Sequence, residues 1–237
     1  MHKLFLIFSL LALPCLFFQP ETNIPNSKET PETKEQNKTD ICQELYEEME
    51  LDSIVDSDAF RQAVAGYYKI KERKRDVLTL IDFSKPSTEK RLYVFDMKKK
   101  KMLFCSVVSH GRNSGGNYAT SFSNENGSYK SSLGFYLTEN TYQGKNGYSL
   151  VLDGLEEGIN DNAKRRAIVM HGAAYSNPST IRCSGRLGRS LGCPAVPQAL
   201  SRPIIDAIKG GSVLYIYAKK PEYFAQSHIA ERPSNIL

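Results

Sequence analysis

A series of short β-type runs fills the chain from Asp76 to Ala218 and constrains its fold more than any other feature. Each run is rich in β-branched and aromatic residues, and polar or glycine-containing turns separate neighbouring runs, as is typical of strands. The seven runs are VLTLIDF, KRLYVFDM, KMLFCSVVSHG, LGFYLT, YSLVLDGL, AIVMHG and VLYIYA. We expect the first three to form an antiparallel sheet, with a hairpin at Lys98 to Lys101.

Helical patterns occur at only two places. The segment from Pro197 to Lys209 carries isoleucines at helical spacing, and we expect Ser201 to cap this helix and Pro203 to lie in its first turn. Apolar residues also recur at helical spacing from Cys42 to Tyr68, ahead of the strands, and predict two helices. The predicted fold class is therefore mainly β, a mixed β sandwich or barrel with one or two short helices, preceded by a short helical segment.

The ends of the chain differ in composition from its middle. His2 and Lys3 precede an apolar run that suits a secretory signal and is short for a membrane span, with an uncleaved N-terminal anchor as the alternative. The segment that follows is polar and contains proline, which is typical of disorder. The predicted organisation is a signal peptide or anchor (1–18), a disordered tether (19–41), a helical lead-in that packs on the main domain (42–75), the main domain (76–220) and an irregular tail (221–237).

Charge is distributed unevenly along the chain. The segment from Gln19 to Phe60 holds 12 acidic and 3 basic residues, whereas Arg61 to Leu237 holds 27 basic and 14 acidic residues. An excess of positive charge favours binding to one of three classes of anionic partner, which are nucleic acids, anionic membrane surfaces and anionic polymers. Because an exported protein rarely meets nucleic acid, we expect an anionic partner in the cell envelope. Membrane contact is expected only through the N-terminal segment.

The longest stretch without periodicity runs from Arg112 to Ser132 and is rich in Gly, Asn and Ser. Loops of this length in a compact domain are usually functional. We therefore predict a functional loop or a flexible lid here.

Cysteine and histidine occur together near the end of the main domain. The run Ile168-Val169-Met170 leads into His171, and Cys193 follows 22 positions later, between Gly192 and Pro194. A thiol with a pKa of about 8.5 is only slightly ionised at neutral pH, and an imidazole that accepts its proton activates it. The backbone amides around Cys193 are candidates for an oxyanion hole.

The sequence also allows the cysteines other roles than catalysis. Cys42, Cys105, Cys183 and Cys193 remain after the signal, and they are enough for two disulfides in an exported protein. A Cys183–Cys193 disulfide would silence the nucleophile. A zinc site lacks the close paired spacing that such sites show, so no metal and no other cofactor is predicted.

Four motifs in a fixed order resemble one known family. SHG at 109–111, SSLGFY at 131–136, MHGAAY at 170–175 and GRSLGCPAV at 188–196 are similar to the murein L,D-transpeptidase catalytic domain family, a branch of the YkuD-like enzymes. The resemblance covers about Asp76 to Ala218 and implies a β-rich catalytic domain at 76–220. It also implies a bacterial periplasmic or cell-envelope enzyme that acts on peptidoglycan stem peptides.

The resemblance implies roles for individual residues. Cys193 would attack the amide between the third stem residue and D-Ala, with His171 as general base, and the thioester would pass to an amine to form a 3-3 crosslink. Where the better-known branch has an arginine two residues after the cysteine, this chain has Ala195. Further site residues are the backbone groups of Leu191, Gly192 and Gly172, and the substrate-binding residues Ser190, Arg189, Tyr175, His110 and Arg186, with Arg182 as another candidate for anion binding.

Several alternatives remain. Water as the acceptor would make the protein an L,D-carboxypeptidase, and a paired or buried Cys193 would leave a non-catalytic wall-binding module. Sortases also place histidine before cysteine and need a later catalytic arginine, for which Arg202 and Arg232 are present. The short interval from His171 to Cys193 and the GRSLGCPAV run argue against this family. Papain-like wall hydrolases use the reverse order, with His228 as the only later histidine. We expect a monomer.

Overall fold

Eight strands form one mixed sheet in the order β3-β2-β1-β8-β4-β5-β6-β7. The structure is a computed structural model that describes residues 41–231. The strands are β1 (Val77–Asp82), β2 (Leu92–Asp96), β3 (Lys101–Ser106), β4 (Gly134–Gly144), β5 (Gly147–Gly154), β6 (Val169–Ala173), β7 (Ala195–Pro197) and β8 (Val213–Tyr217). The α-helices are α1 (41–48), α2 (Ser57–Lys69), α3 (Pro178–Ser184), α4 (Gln198–Ile208) and α5 (Pro221–Gln226).

The sheet curls until its two ends nearly meet. Strands β1, β2 and β3 form the predicted antiparallel meander. The chain beyond β3 then reaches the opposite end of the sheet, where Ser109 pairs with Ala195 of β7 and Gly111 pairs with Ser190. The mainly β, barrel-like prediction is confirmed, and this near closure brings the sequence around Ser109 to the segment that contains Cys193.

The centre of the sheet is buried because helices cover it. All six residues of β1 and all five of β8 are buried. Helices α2 and α4 both pack against β1, and α2 contributes Phe60, Val64 and Tyr67 to the core. The lead-in and the sheet therefore share one hydrophobic core.

Three local features differ from the sequence-based expectations. Strand β7 was not predicted, because a run of three residues is too short to show a strand period. Helix α3 was also not predicted. Helix α4 begins at Gln198, so Pro203 lies inside it, and Ser201 Oγ donates to Gln198 O instead of capping the helix. The Gln198 amide is bound by Asn177 Oδ1, a partner that is remote in sequence.

The two ends of the chain are described only in part. The predicted signal peptide and residues 19–40 of the predicted tether lie outside the described residues, as do residues 232–237. The tail that we predicted to be irregular contains α5, where Tyr223 and Phe224 are buried against the core. Within residues 41–231, no helix has the length and apolar character that a membrane span requires.

Candidate active site

The pairing of β6 with β7 brings the histidine strand beside the cysteine. His171 lies opposite Ala195, and the two strands run parallel, so Cys193 lies level with Val169. The Val169 amide donates to Cys193 Sγ at 3.5 Å, and the thiol donates to Ala167 O at 3.7 Å. The sulfur thus faces the backbone of the chain entering β6, and within residues 41–231 no hydrogen bond joins it to the His171 ring.

His171 has a defined tautomer. Its Nδ1 lies 3.1 Å from Gly172 O, and a carbonyl only accepts, so Nδ1 carries the hydrogen. Nε2 is then the basic nitrogen. Burial lowers the pKa of His171, because the charged imidazolium loses hydration. The ring is therefore neutral at pH 7 and able to accept a proton.

The thiol of Cys193 is also neutral at rest. Burial raises its pKa, while the hydrogen bond from the Val169 amide and the positive charge of Arg166 act in the opposite direction. Cys193 and His171 are therefore both neutral at rest and do not form a thiolate and an imidazolium.

A tight turn presents Cys193. Ser190 Oγ accepts from the Gly192 amide at 3.1 Å and donates to Cys193 O at 2.6 Å. Gly192 has φ +126°, and a Cβ there would lie 2.9 Å from Lys130 O, so only glycine fits. The amides of Leu191 and Cys193 donate to no oxygen in the described part of the chain. The Cys193 amide lies near its own Sγ and acts to lower the pKa of that thiol.

The loop from Arg112 to Ser132 packs against this turn. Ser131 Oγ accepts from the Gly111 amide and donates to Gly192 O, both at 3.0 Å. A Cβ on Gly111 would lie 3.0 Å from the Gly192 Cα, so the two glycines are in close contact. Three of the four sequence motifs thus meet at one point, while the fourth supplies His171.

The residues predicted to bind substrate have different surroundings. Tyr175 is partly buried, and burial, together with the negative charge of an ionised Cys193, raises its pKa to about 12. Leu191 is 58% exposed beside Cys193. Ser190 is used inside the turn, and Gly172 supplies the carbonyl that orients His171 while packing closely on Ser201.

His110, predicted from the sequence to line the site, lies buried beside Arg91. His110 is only 1% exposed, and its Nδ1 lies 2.8 Å from Nη2 of the buried Arg91. Burial and Arg91 lower its pKa to about 4, so its ring stays neutral. Its carbonyl accepts from the Ser190 amide, which makes it a support beneath the turn.

The arginines predicted to bind an anion have other partners. Arg189 donates to the carbonyls of Arg112 and Gly115, and Arg186 donates to Leu187 O. Arg182 is exposed on α3. These contacts place the guanidinium groups of Arg189 and Arg186 on backbone carbonyls, not on the sulfur.

Arg166 is the cation that the sequence analysis missed. It lies just before β6, and its positive charge acts on Cys193. The Arg165-Arg166 pair was a visible signal, but nothing in the sequence connects it with a turn 26 positions later. Only the folded chain brings them together.

The thiol of Cys193 is available for chemistry. Neither Cys183 nor Cys193 is in a disulfide, and Cys183 is exposed on α3. No group of three or more His, Cys, Asp or Glu residues within 41–231 is arranged to hold a metal ion.

Solved structures that resemble this chain are distant in sequence. An L,D-transpeptidase from Mycobacterium smegmatis shares 12% identity over 60% of this chain and 59% of its own, with a TM-score of 0.38. An L,D-transpeptidase from Stackebrandtia nassauensis shares 14% identity over 76% of this chain and 77% of its own, with a TM-score of 0.37. An L,D-transpeptidase from Xylanimonas cellulosilytica shares 12% identity over 75% of this chain and 93% of its own, with a TM-score of 0.35. The chain thus spans about three fifths of the Mycobacterium smegmatis chain.

Comparison with families and with curated proteins gives different results. A comparison with curated proteins finds no match. The family model of the L,D-transpeptidase catalytic domain matches residues 51–217, which includes α2, the whole sheet and the site around Cys193. The match covers well over half of the chain and agrees with the resemblance in the four motifs. The chain belongs to the L,D-transpeptidase catalytic domain family.

Proposed function

We propose that this protein is a cysteine-dependent peptidoglycan L,D-transpeptidase that forms 3-3 crosslinks from stem tetrapeptides. The observation that carries the proposal is the pairing of β6 with β7, which puts a free thiol beside the strand of a neutral histidine. The Nδ1 hydrogen bond to Gly172 O leaves Nε2 of His171 as the base.

The first half of the reaction forms a thioester. Cys193 Sγ turns from the Ala167 carbonyl toward His171 and attacks the carbonyl carbon of the amide between the third stem residue and D-Ala. Nε2 of His171 accepts the thiol proton and then passes it to the leaving nitrogen. The C–N bond breaks, D-Ala departs with its amino group, and the acyl group remains on Cys193.

The second half returns the enzyme to its starting state. The side-chain amine of another stem attacks the thioester carbonyl, and His171 accepts a proton from this nitrogen. The C–S bond breaks, and the sulfur regains its proton from His171. Water in place of the amine would give L,D-carboxypeptidase activity through the same thioester.

Backbone amides stabilise the charge that develops on the substrate oxygen. We assign this role to the amides of Leu191 and Cys193, because the Gly192 amide already donates to Ser190 Oγ. One such donor contributes about 3 to 4 kcal/mol where it has been measured. Tyr175 and the exposed Leu191 side chain flank the substrate.

The cell wall supplies the setting for this reaction. We propose that the protein is exported to the periplasm or cell envelope and acts there as a monomer, with its basic domain facing an anionic polymer. The predicted N-terminal signal supports export, and an uncleaved N-terminal segment would be its membrane contact.

The test is incubation of the purified protein with disaccharide tetrapeptides, followed by mass spectrometry and assay of free D-Ala. We expect D-Ala release together with crosslinked dimers, and loss of both in Cys193→Ala. Cys183→Ala is the matched control, because it removes an exposed thiol elsewhere and should leave turnover unchanged. Release without dimers would indicate a carboxypeptidase, and release that survives Cys193→Ala would contradict the proposal.

A further inference from the structure

Arg166 concentrates its hydrogen bonds on one loop. Its Nη1 donates to Ser123 O at 2.8 Å and to Ser132 Oγ at 2.6 Å. Its Nη2 donates to Ser128 Oγ at 3.2 Å and to Lys130 O at 2.6 Å. All four partners belong to the 112–132 loop, so a single guanidinium gathers the second half of that loop.

The same guanidinium touches the turn that presents the cysteine. A Cβ on Gly192 would lie 3.4 Å from Arg166 Nη2 and 2.9 Å from Lys130 O. The Lys130 carbonyl therefore packs on Gly192 and also accepts a hydrogen bond from Arg166. Any movement of Arg166 would loosen the contact between the loop and the residue before Cys193.

The positive charge of Arg166 is not cancelled locally. The guanidinium is partly buried, and within residues 41–231 no carboxylate forms an ion pair with it. Burial lowers the pKa of Arg166, yet an arginine stays charged at pH 7. A charge with reduced hydration and no carboxylate acts strongly on a nearby anion.

The position two residues after the cysteine is unable to supply this charge. Ala195 is fully buried in β7. Arg166, on the segment that enters β6, instead lies against Gly192, the residue before Cys193.

We propose that Arg166 is a positioning residue that closes the 123–132 part of the loop onto the turn at Gly192 and stabilises negative charge on Cys193 Sγ. The charge arises when the thiol loses its proton and again when the thioester releases the sulfur. This inference rests on the proposed role of Cys193 as nucleophile.

The experiment measures the rate at which iodoacetamide alkylates Cys193 between pH 6 and pH 10, with the site identified by mass spectrometry. In Arg166→Gln, we expect the rate at pH 7 to fall about tenfold, because the thiolate loses a neighbouring cation. Arg166→Lys should retain most of the alkylation rate, since it keeps the positive charge. The backbone amides of residues 123–132 should exchange hydrogen faster in this variant, because lysine lacks the planar guanidinium that binds several loop oxygens at once. Arg165→Gln is the matched control, because it removes the same charge from the exposed neighbouring position, and it should change the alkylation rate less than twofold.

Each result decides one question. An Arg166→Gln protein that alkylates like the wild type over this pH range overturns the electrostatic part of the proposal, and unchanged hydrogen exchange in Arg166→Lys overturns the positioning part. If Arg166→Gln does not fold, Arg166→Lys still tests both parts of the proposal. A tenfold loss of alkylation in this variant, which keeps the charge, would overturn the electrostatic part, and unchanged hydrogen exchange would overturn the positioning part. Absence of D-Ala release by the wild type would instead contradict the proposed function, whatever the variants do.

Discussion

At the scale of single residues, burial keeps both reactive groups neutral. Burial lowers the pKa of His171 and raises that of Cys193, so neither group is charged at rest. The Gly172 carbonyl binds Nδ1 of His171 and leaves Nε2 as the nitrogen without a hydrogen. A general-base mechanism therefore suits this site better than a preformed ion pair, and the two mechanisms differ in their pH dependence.

We predict that kcat/KM for D-Ala release stays high below pH 6.5, the ordinary pKa of an imidazole. His171 must be unprotonated to act as base, and its lowered pKa moves the acidic limb of the profile to lower pH. Alkylation of Cys193 follows the thiolate instead, so it should increase only in the alkaline range. The measurement is the pH profile of each rate on the same protein. An acidic limb centred above pH 6.5 would show that burial does not control His171.

At the scale of elements, the 112–132 loop acts as a support for the cysteine turn. Its length and composition predicted a functional loop or a lid, and Ser131 shows the physical connection. One hydroxyl satisfies the Gly111 amide and the Gly192 carbonyl, which are both buried. The Ser131 amide in turn donates to Ser114 Oγ at 2.9 Å, which ties the two ends of the loop together.

We predict that Ser131→Ala destabilises the protein by about 2 to 4 kcal/mol, because it leaves two buried polar groups without a partner. D-Ala release by the folded variant should also fall about tenfold or more, since the turn before Cys193 loses its support. Urea unfolding and initial rates are the measurements. Ser106→Ala is the control, because within residues 41–231 that buried hydroxyl bonds only to the adjacent Val107 carbonyl. Equal effects of the two variants would argue against the support.

At the scale of the whole molecule, Glu156 joins the C-terminal helix to the sheet. Its side chain is fully buried and accepts from the Phe135 amide, the Tyr223 hydroxyl and the Ser227 hydroxyl. Burial raises its pKa despite these hydrogen bonds. The folded protein therefore holds this proton more tightly than the unfolded chain does.

We predict that the wild type loses stability relative to Glu156→Gln as pH rises. Below the ordinary carboxyl pKa of 4.5, both states carry the proton and stability is complete. As pH rises through that value toward the higher folded pKa, the unfolded chain releases its proton first, so the free energy of unfolding decreases. Urea midpoints between pH 4 and pH 7.5 measure the difference. The exposed Glu157→Gln is the control, and the same pH slope in both variants would contradict the prediction.

The mainly β class and the family follow from the amino-acid sequence alone, because β-type runs separated by turns, and short motifs, are local patterns. It also indicated Cys193 and His171, whose catalytic roles stay predictions. It did not determine strand β7, since three residues carry no period of their own and their pairing depends on distant partners.

The surroundings of the segment 188–196, which contains Cys193, depend on the tertiary structure. His110 is near the turn in space but faces buried Arg91, and no sequence pattern distinguishes that orientation from an exposed one. Arg166 reaches Gly192 because the loop, the entry to β6 and the turn converge. Hydrogen bonds and charges act through distance in space, so residues far apart in the chain acquire their partners only when it folds.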